Sequence, residues 1–371
     1  MIAINKRIVS IDIGNSKIKL VHGQVQKEKI IIYEYDVVDT PEYSVEDGKL
    51  LKVENLINVI KDGIIKKNKI KCKNLVLTIT GTGVIVRDIQ IPKSTEEEID
   101  KILEFEVEQY FPVGLENYVL DYKVVEQIEN VDGVFYRVLI VAVPNNQVDE
   151  YMKIHNELGM DIEAIDIPVN AIQKLFFGGN SLNIKSEKSI DSKEFAVLDF
   201  GAKTTGVYIF SDGSMKFNRI LLSGSKFIDE SISNNFNLDF KESEDLKISS
   251  GELIEDNNVE SENESKTRIS DLIKGIMGNM LNDVNRFFEF YNSRRTMNKL
   301  RKIYICGGGS QIKGLDSFIN LFFNIPVENI VPMDNIIYKG KKTNEDFKRD
   351  FPYLVNCIGS IVRSKKEKKF R

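Results

Sequence analysis

The chain has 371 residues, enough for two hydrophobic cores or one domain with a large insertion. Its 51 basic and 56 acidic side chains leave a net charge of −5, and no basic stripe interleaved with aromatics marks a nucleic-acid partner. Three scattered cysteines, Cys72, Cys306 and Cys357, match neither a zinc spacing nor a disulfide framework, which points to a reducing compartment.

The first residues, MIAINKRIVSIDIG, run into a strand without a signal-peptide h-region. The most apolar runs, such as VLIVAVP at 138–144, fall far short of the roughly 20 residues of a membrane span, so a soluble cytoplasmic protein is expected. Residues 9–20 alternate as strand, turn, strand, with Gly14 in the turn. A helix is predicted at 55–66 from Leu56, Ile57, Val59, Ile60, Ile64 and Ile65, and a buried strand at 74–81. Ser94 and Glu97 form a capping-box pattern before Ile99, Ile102, Leu103, Val107 and Tyr110, and that helix ends at Pro112. Strands follow at 118–126 and 135–143, so 84–160 reads as a β-α-β-β insert.

Helices are predicted at 147–158, ended by Gly159, and at 169–177. The polar stretch 178–193 and the acidic stretch 249–268 hold too few apolar residues to offset their ordering entropy and read as solvated loops. An amphipathic helix at 269–291 follows, then strand, Gly-rich turn and helix over 301–322. The last residues, VRSKKEKKFR, read as a frayed basic tail.

The sequence repeats itself in one respect. VSIDIGNSKIKLV and AVLDFGAKTTGVYIF both run from an apolar strand through Asp-x-Gly into small polar residues and a second strand, with Asp12 and Asp199 187 positions apart. Either turn alone reads as a hairpin with Asp bonded to its own backbone. As a duplication, the two would face each other across a cleft, each offering backbone N–H groups and side chains suited to phosphate oxygens. Facing carboxylates repel unless a cation lies between them, and a hydrated Mg²⁺ bridging to a polyphosphate suits one or two carboxylates. A third turn, Cys306-Gly307-Gly308-Gly309-Ser310, lets a ligand lie against backbone. Together the three form a nucleotide-binding constellation.

The turns DIGNSK, DFGAKTTG and CGGGSQIKGL resemble the phosphate-one, phosphate-two and adenosine turns of the actin-like ATPases: actin, MreB, FtsA and the DnaK-type chaperones. Within that superfamily the stretch 91–126 resembles the PilM family of type IV pilus assembly proteins, through Glu106, Glu108, Gln109, Tyr110, Pro112, Asp121 and Tyr122. KESEDLK (241–247) and NRFFEFY (285–291) are similar to the same family. The resemblance implies an α/β, two-lobed actin-like fold built from two related ribonuclease-H-like domains, with an FtsA-like inserted subdomain. Its parts would be a first lobe at 1–83, the insert at 84–160, a return at 161–194, a second lobe at 195–345, and a C-terminal helix with the tail at 346–371.

It also implies ATP and Mg²⁺ as cofactors. Asp12 and Asp199 would hold the metal through water. Gly14, Asn15, Ser16 and Lys17 would wrap one side of the phosphates and Gly201, Lys203, Thr204 and Thr205 the other. Gly307, Gly308 and Gly309 would back the adenosine, with Glu244 and Lys247 reaching ribose and base. Two departures stand out: Ile167 lies where many actin-like ATPases carry a water-orienting Glu, beside Asp166, and Ser223-Gly224-Ser225-Lys226 replaces a pair of adjacent glycines. Nucleotide binding is therefore expected ahead of fast hydrolysis. The implied partner is the N-terminal cytoplasmic segment of PilN, and through it the pilus motor and the inner-membrane alignment complex. Membrane contact would come only through partners, on the inner face of the cytoplasmic membrane, and self-association is left open. The alternatives are an FtsA- or MreB-like filament protein and a small-molecule kinase. Against the kinase, His22 and His155, the two histidines of the chain, lie near no candidate turn.

Overall fold

The computed structural model describes residues 6–110, 115–178, 194–253, 264–293 and 300–363, with backbone alone at 104–110, 115, 250 and 264–266. The chain opens with β1 (Ile8–Ile13), β2 (Lys17–Gln26), β3 (Lys29–Asp39), the small pair β4 (Val45–Glu46) and β5 (Lys49–Leu50), α1 (Val53–Asn58) and β6 (Asn74–Thr78). There follow β7 (Ile85–Pro92), α2 (Glu96–Tyr110), β8 (Tyr118–Asn130), β9 (Gly133–Pro144), α3 (Asn145–Leu158), β10 (Asp161–Asp166) and α4 (Pro168–Phe177). The second half supplies β11 (Phe195–Phe200), β12 (Thr205–Ser211), β13 (Ser214–Leu221), α5 (Lys226–Phe236), α6 (Phe240–Ser250), α7 (Glu264–Ser293) and β14 (Lys302–Cys306). It closes with α8 (Leu315–Phe323), β15 (Val327–Asn329), β16 (Ile336–Tyr338) and α9 (Asn344–Ile361).

The repeat seen in the sequence is a repeat of topology. The first sheet runs β10-β6-β1-β2-β3-β16 and the second β13-β12-β11-β14-β15. In each, an antiparallel meander is extended beyond its first strand by two parallel strands, the first sheet adding β16 on its other edge, and Asp12 and Asp199 occupy equivalent places, opposite Thr78 and Cys306 on the neighbouring parallel strand. Both β1 and β11 are near-continuous apolar runs, as strands covered on both faces must be. Between the lobes, α4 and α9 cross so closely that a β-carbon on Gly359 would lie 2.0 Å from the Ala171 carbonyl oxygen.

The inserted sheet has the order β7-β9-β8, with α2 on one face through Ile99 and Leu103 against Val138, Ile140 and Ala142. Helix α3, which the sequence reading put in the insert, instead buries Val148, Tyr151 and Ile154 with Leu56 and Leu75 in the first lobe's core.

Four local expectations are corrected. The cap of α2 is Thr95, not Ser94: the Thr95 N–H donates to Glu98 Oε2 at 2.8 Å, while the Ser94 hydroxyl donates back to the Pro92 carbonyl. The sequence holds two overlapping patterns, Ser94/Glu97 and Thr95/Glu98, and spacing cannot choose between them. The helix expected at 55–66 is helical, but Val59–Lys66 is wound as a π-helix, a difference that periodicity over so short a window does not resolve. The stretch 249–268 is not a loop at its ends: Ser249 and Ser250 finish α6, Leu253 is buried in the second core, and α7 already starts at Glu264. That burial of Leu253 anchors a segment whose composition is otherwise polar. The strand at 118–126 extends to Asn130. Residues 254–263 of the acidic stretch, 179–193 of the polar one, Pro112 and the tail from 364 lie outside the described residues. Among the described residues no helix is long and apolar enough to cross a membrane.

Candidate functional site

The ends of β1 and β11 open into one cleft between the lobes, with a cavity of about 410 Å³. Asp12, Gly14, Asn15, Ser16 and Lys17 line it from the first lobe, and Asp199, Gly201 and Thr204 from the second. Glu244 and Lys247 of α6 and Gly307, Gly308 and Gly309 complete that wall. Two of the expected residues are absent from it. Thr205 is fully buried and donates its hydroxyl to the Ser223 carbonyl at 2.7 Å, so it ties β12 to the turn after β13. Lys203 does not line the cavity. Consecutive residues entering a strand face opposite ways, which takes Thr205 inward as Thr204 faces the cleft.

Each turn is held by its own backbone. The Gly14 N–H donates to the Lys17 carbonyl at 3.0 Å, and the Gly201 N–H to the Thr204 carbonyl at 2.9 Å. Asn15 is anchored outward, its amide donating to the Val45 carbonyl, and Lys17 pairs with Asp39. The segment Ser223–Lys226 closes on the second turn: the Ser225 and Lys226 N–H groups donate to the Gly201 and Ala202 carbonyls at 2.9 and 2.8 Å. Gly307, at φ 81°, has no room for a side chain, because a β-carbon would lie 2.5 Å from Asp199 Oδ1. Lys247, the last residue of KESEDLK on α6, is held by Asp229 of α5 at 2.6 Å.

Sequence reasoning missed how the facing carboxylates are managed. Asn356, from α9, points its amide at both, 3.4 Å from Asp12 Oδ2 and 3.2 Å from Asp199 Oδ2. Lys19, from β2, places its ammonium 3.1 Å from Asp12. Burial alone would lower the Lys19 pKa, but the Asp12 carboxylate and further anionic neighbours outweigh it and raise it. Asp199 has its pKa raised, by burial first and also by the Asp12 charge, with the Asn356 hydrogen bond only partly opposing. Burial and the Asp199 carboxylate likewise push the Cys306 thiol well up. Asn356 Oδ1 is buried without a partner. Tyr353 and Gln311 also line the cavity; Gln311 lies within the CGGGSQIKGL turn without having been singled out, and Tyr353 carried no sequence signal.

Where a water-orienting carboxylate was sought, Ile167 is buried, and Asp166 is turned into a cluster of its own. It ion-pairs with Lys174, lies 3.7 Å from Arg363 and accepts from Asn170 at 2.7 Å. It does not line the cavity.

A family model described as type IV pilus assembly protein PilM matches residues 10–365. The chain belongs to the PilM family. It is 23% identical over 381 residues to the cell division protein FtsA of Buchnera aphidicola subsp. Baizongia pistaciae (strain Bp), covering 91% of this chain and 87% of that one. Its structure matches that of the PilM-PilN type IV pilus biogenesis complex at a TM-score of 0.81, with 21% identity and coverage of 96% of this chain and 98% of that chain. MreB5 of Spiroplasma citri bound to ADP matches at 0.51, with 13% identity and coverage of 96% and 95%. These likenesses show the fold: the PilM-family chain is an actin-like ATPase fold, as its sequence implied.

Proposed function

We propose that this PilM-family chain binds Mg-ATP in the interlobe cleft and serves as a cytoplasmic scaffold of type IV pilus assembly. The observation that carries the reading is the convergence of both Asp-x-Gly turns and the Gly307–Gly309 turn on one cavity of about 410 Å³, within the usual size of ligand sites. The residues fit the cofactor. The Asp12 and Asp199 carboxylates face one ammonium, Lys19, and the pKa of Asp199 is raised by burial first and by the Asp12 charge as well. Among the described residues no cluster of three or more ligating side chains forms a metal cage, which suits a cation held by one or two carboxylates and phosphates. Mg-ATP, when bound, supplies the divalent charge that Asp12 and Asp199 call for. Lys17 and Lys19 would be the cations nearest its phosphates, Gly307–Gly309 would back the adenosine, and Glu244 and Lys247 would lie beside it.

The scaffold role rests on family membership and on the match to the PilM-PilN complex. The proposed partner is the N-terminal cytoplasmic segment of PilN, seated between the inserted sheet and the first lobe and linking the chain to the motor and alignment complex at the membrane's inner face. Turnover is weak or absent in this reading, because Ile167 offers no carboxylate and Asp166 is committed to Lys174.

Calorimetric titration with Mg-ATP beside Asp199→Ala tests the site. Saturable binding lost in the variant supports it, and no binding by the folded parent overturns it, leaving a nucleotide-independent scaffold. Peptide anisotropy with a PilN N-terminal segment tests the partner. Equal affinity with and without Mg-ATP would rule out coupling, which is typically about 1–3 kcal/mol. The FtsA likeness supports a second reading, an ATP-dependent filament, which sedimentation after adding Mg-ATP distinguishes.

A further inference from the structure

The inserted sheet is continuous in sequence with the first lobe, yet a buried polar side chain on its central strand attaches it to the second. Arg137 of β9 has a side chain only 10% exposed. Its Nε donates to both oxygens of Asp88 on β7, at 2.9 and 2.7 Å, and its Nη1 to Glu126 on β8 at 2.8 Å, so the guanidinium is fixed across all three strands. The same group reaches out of the sheet. Nη1 donates to Ser214 Oγ at 3.0 Å and Nη2 to the Met215 carbonyl at 2.6 Å, both on β13 of the second lobe. Apolar contact runs beside it, with Val86 and Leu139 of the insert in one core cluster with Met215 and Phe210. Toward the first lobe the insert is joined by two adjacent connections, where the Thr82 N–H donates to Asp47 Oδ1 at 2.8 Å and the end of β9 buries Val143 in that lobe's core.

We infer that Arg137 latches the inserted sheet to the second lobe, so that the sheet follows that lobe, and not the first, when the cleft opens or closes. The strand β12 runs from the second Asp-x-Gly turn at Thr205 to Ser211, three residues before the latch at Ser214. Movement at the nucleotide end is thereby delivered to the groove between insert and first lobe, in which the proposed function seats a peptide. This inference rests on that reading for its purpose, while the latch itself does not need a ligand.

Pulsed electron-spin distance measurements test it, in a Cys72→Ser background that leaves two buried cysteines. One label pair joins insert to second lobe, Glu129→Cys with Glu230→Cys; the other joins insert to first lobe, Glu129→Cys with Glu54→Cys. Without nucleotide, Arg137→Met should broaden the insert-to-second-lobe distribution at least twofold. Arg137→Lys, which keeps the charge beside Asp88 but lacks the fork to reach Ser214 and Met215 together, should do the same. Unchanged widths in both variants overturn the latch. With saturating Mg-ATP the parent should shift its insert-to-first-lobe distance and hold the other. Movement of the second distance instead, or of neither, overturns the coupling. Calorimetry on the same samples separates these outcomes from a failure of nucleotide binding, which leaves the nucleotide-free widths to decide the latch.

Discussion

Asp166→Asn should destabilise the chain by an amount that depends on pH in a defined way. Asp166 is fully buried against Lys174, and although burial pushes its pKa up, the charges of Lys174 and Arg363 bring it down to about 2 from 3.8. A folded pKa below the unfolded one means stability present above the unfolded value and lost as pH falls through the folded value. At about 1.4 kcal/mol per unit, the shift corresponds to roughly 2 kcal/mol at neutral pH. Removing a buried carboxylate that faces a buried ammonium typically costs more, about 3–5 kcal/mol. Urea unfolding followed by circular dichroism, comparing midpoints at equal slope, should place the variant at least about 2 kcal/mol below the parent at pH 7. The gap should narrow between pH 4 and pH 2, as the parent's Asp166 takes up its proton. A gap under about 1 kcal/mol at pH 7, or one that does not change over that interval, would refute the account of Asp166 as a structural anion.

Other substitutions separate architecture from the cleft. Gly359→Ala places a methyl 2.0 Å from the Ala171 carbonyl oxygen, where no contact is tolerated, and should lower stability by about 1–3 kcal/mol in chemical denaturation. Asp199→Asn should stabilise the ligand-free chain at pH 7 while abolishing Mg-ATP binding. The raised folded pKa of Asp199 makes its ionisation a cost that is absent below pH 3.8 and grows as pH rises through the folded value, so the gain should vanish at acid pH. Thr205→Val removes the bond to the Ser223 carbonyl and should cost about 1 kcal/mol of stability while shifting Mg-ATP affinity less than twofold by calorimetry.

The Asp-x-Gly turns were legible because strand alternation, Asp and Gly are local features; their repetition pointed to a duplication facing across a cleft, and the resemblance implied the two-lobed actin-like fold. Lys19 left a signal that was available: Lys17-Ile18-Lys19 on a strand places both lysines on one face, beside Asp12. Asn356 left none. It meets Asp12 across 344 positions of sequence, and nothing in FPYLVNCIGSIV distinguishes an amide in a cleft from one on a solvated helix. Thr205 shows the reverse error. A motif names a run of residues as if all faced the ligand, whereas the entry into β12 turns every second one inward. The boundary of the insert escaped for a related reason, since the periodicity of α3 reports an apolar face without saying which core receives it.

One strand has a consequence for how the molecule is made. β16 pairs with β3 at the outer edge of the first sheet, Ile336–Tyr338 against Ile30–Ile32, and α9 brings Phe351 and Leu354 to the same core cluster as Ile30 and Ile32. Both come from the far end of the chain. At about 5–20 residues per second, roughly 300 further residues keep the N-terminal sheet waiting some 15–60 s on the ribosome for its last strand. During that interval β3 presents open backbone donors and acceptors along its edge, a template for wrong pairing. The first lobe is therefore not a continuous segment that can be cut out and expressed by itself, whereas the second core draws only on residues 196–327, and the nascent first lobe is where a chaperone would be needed.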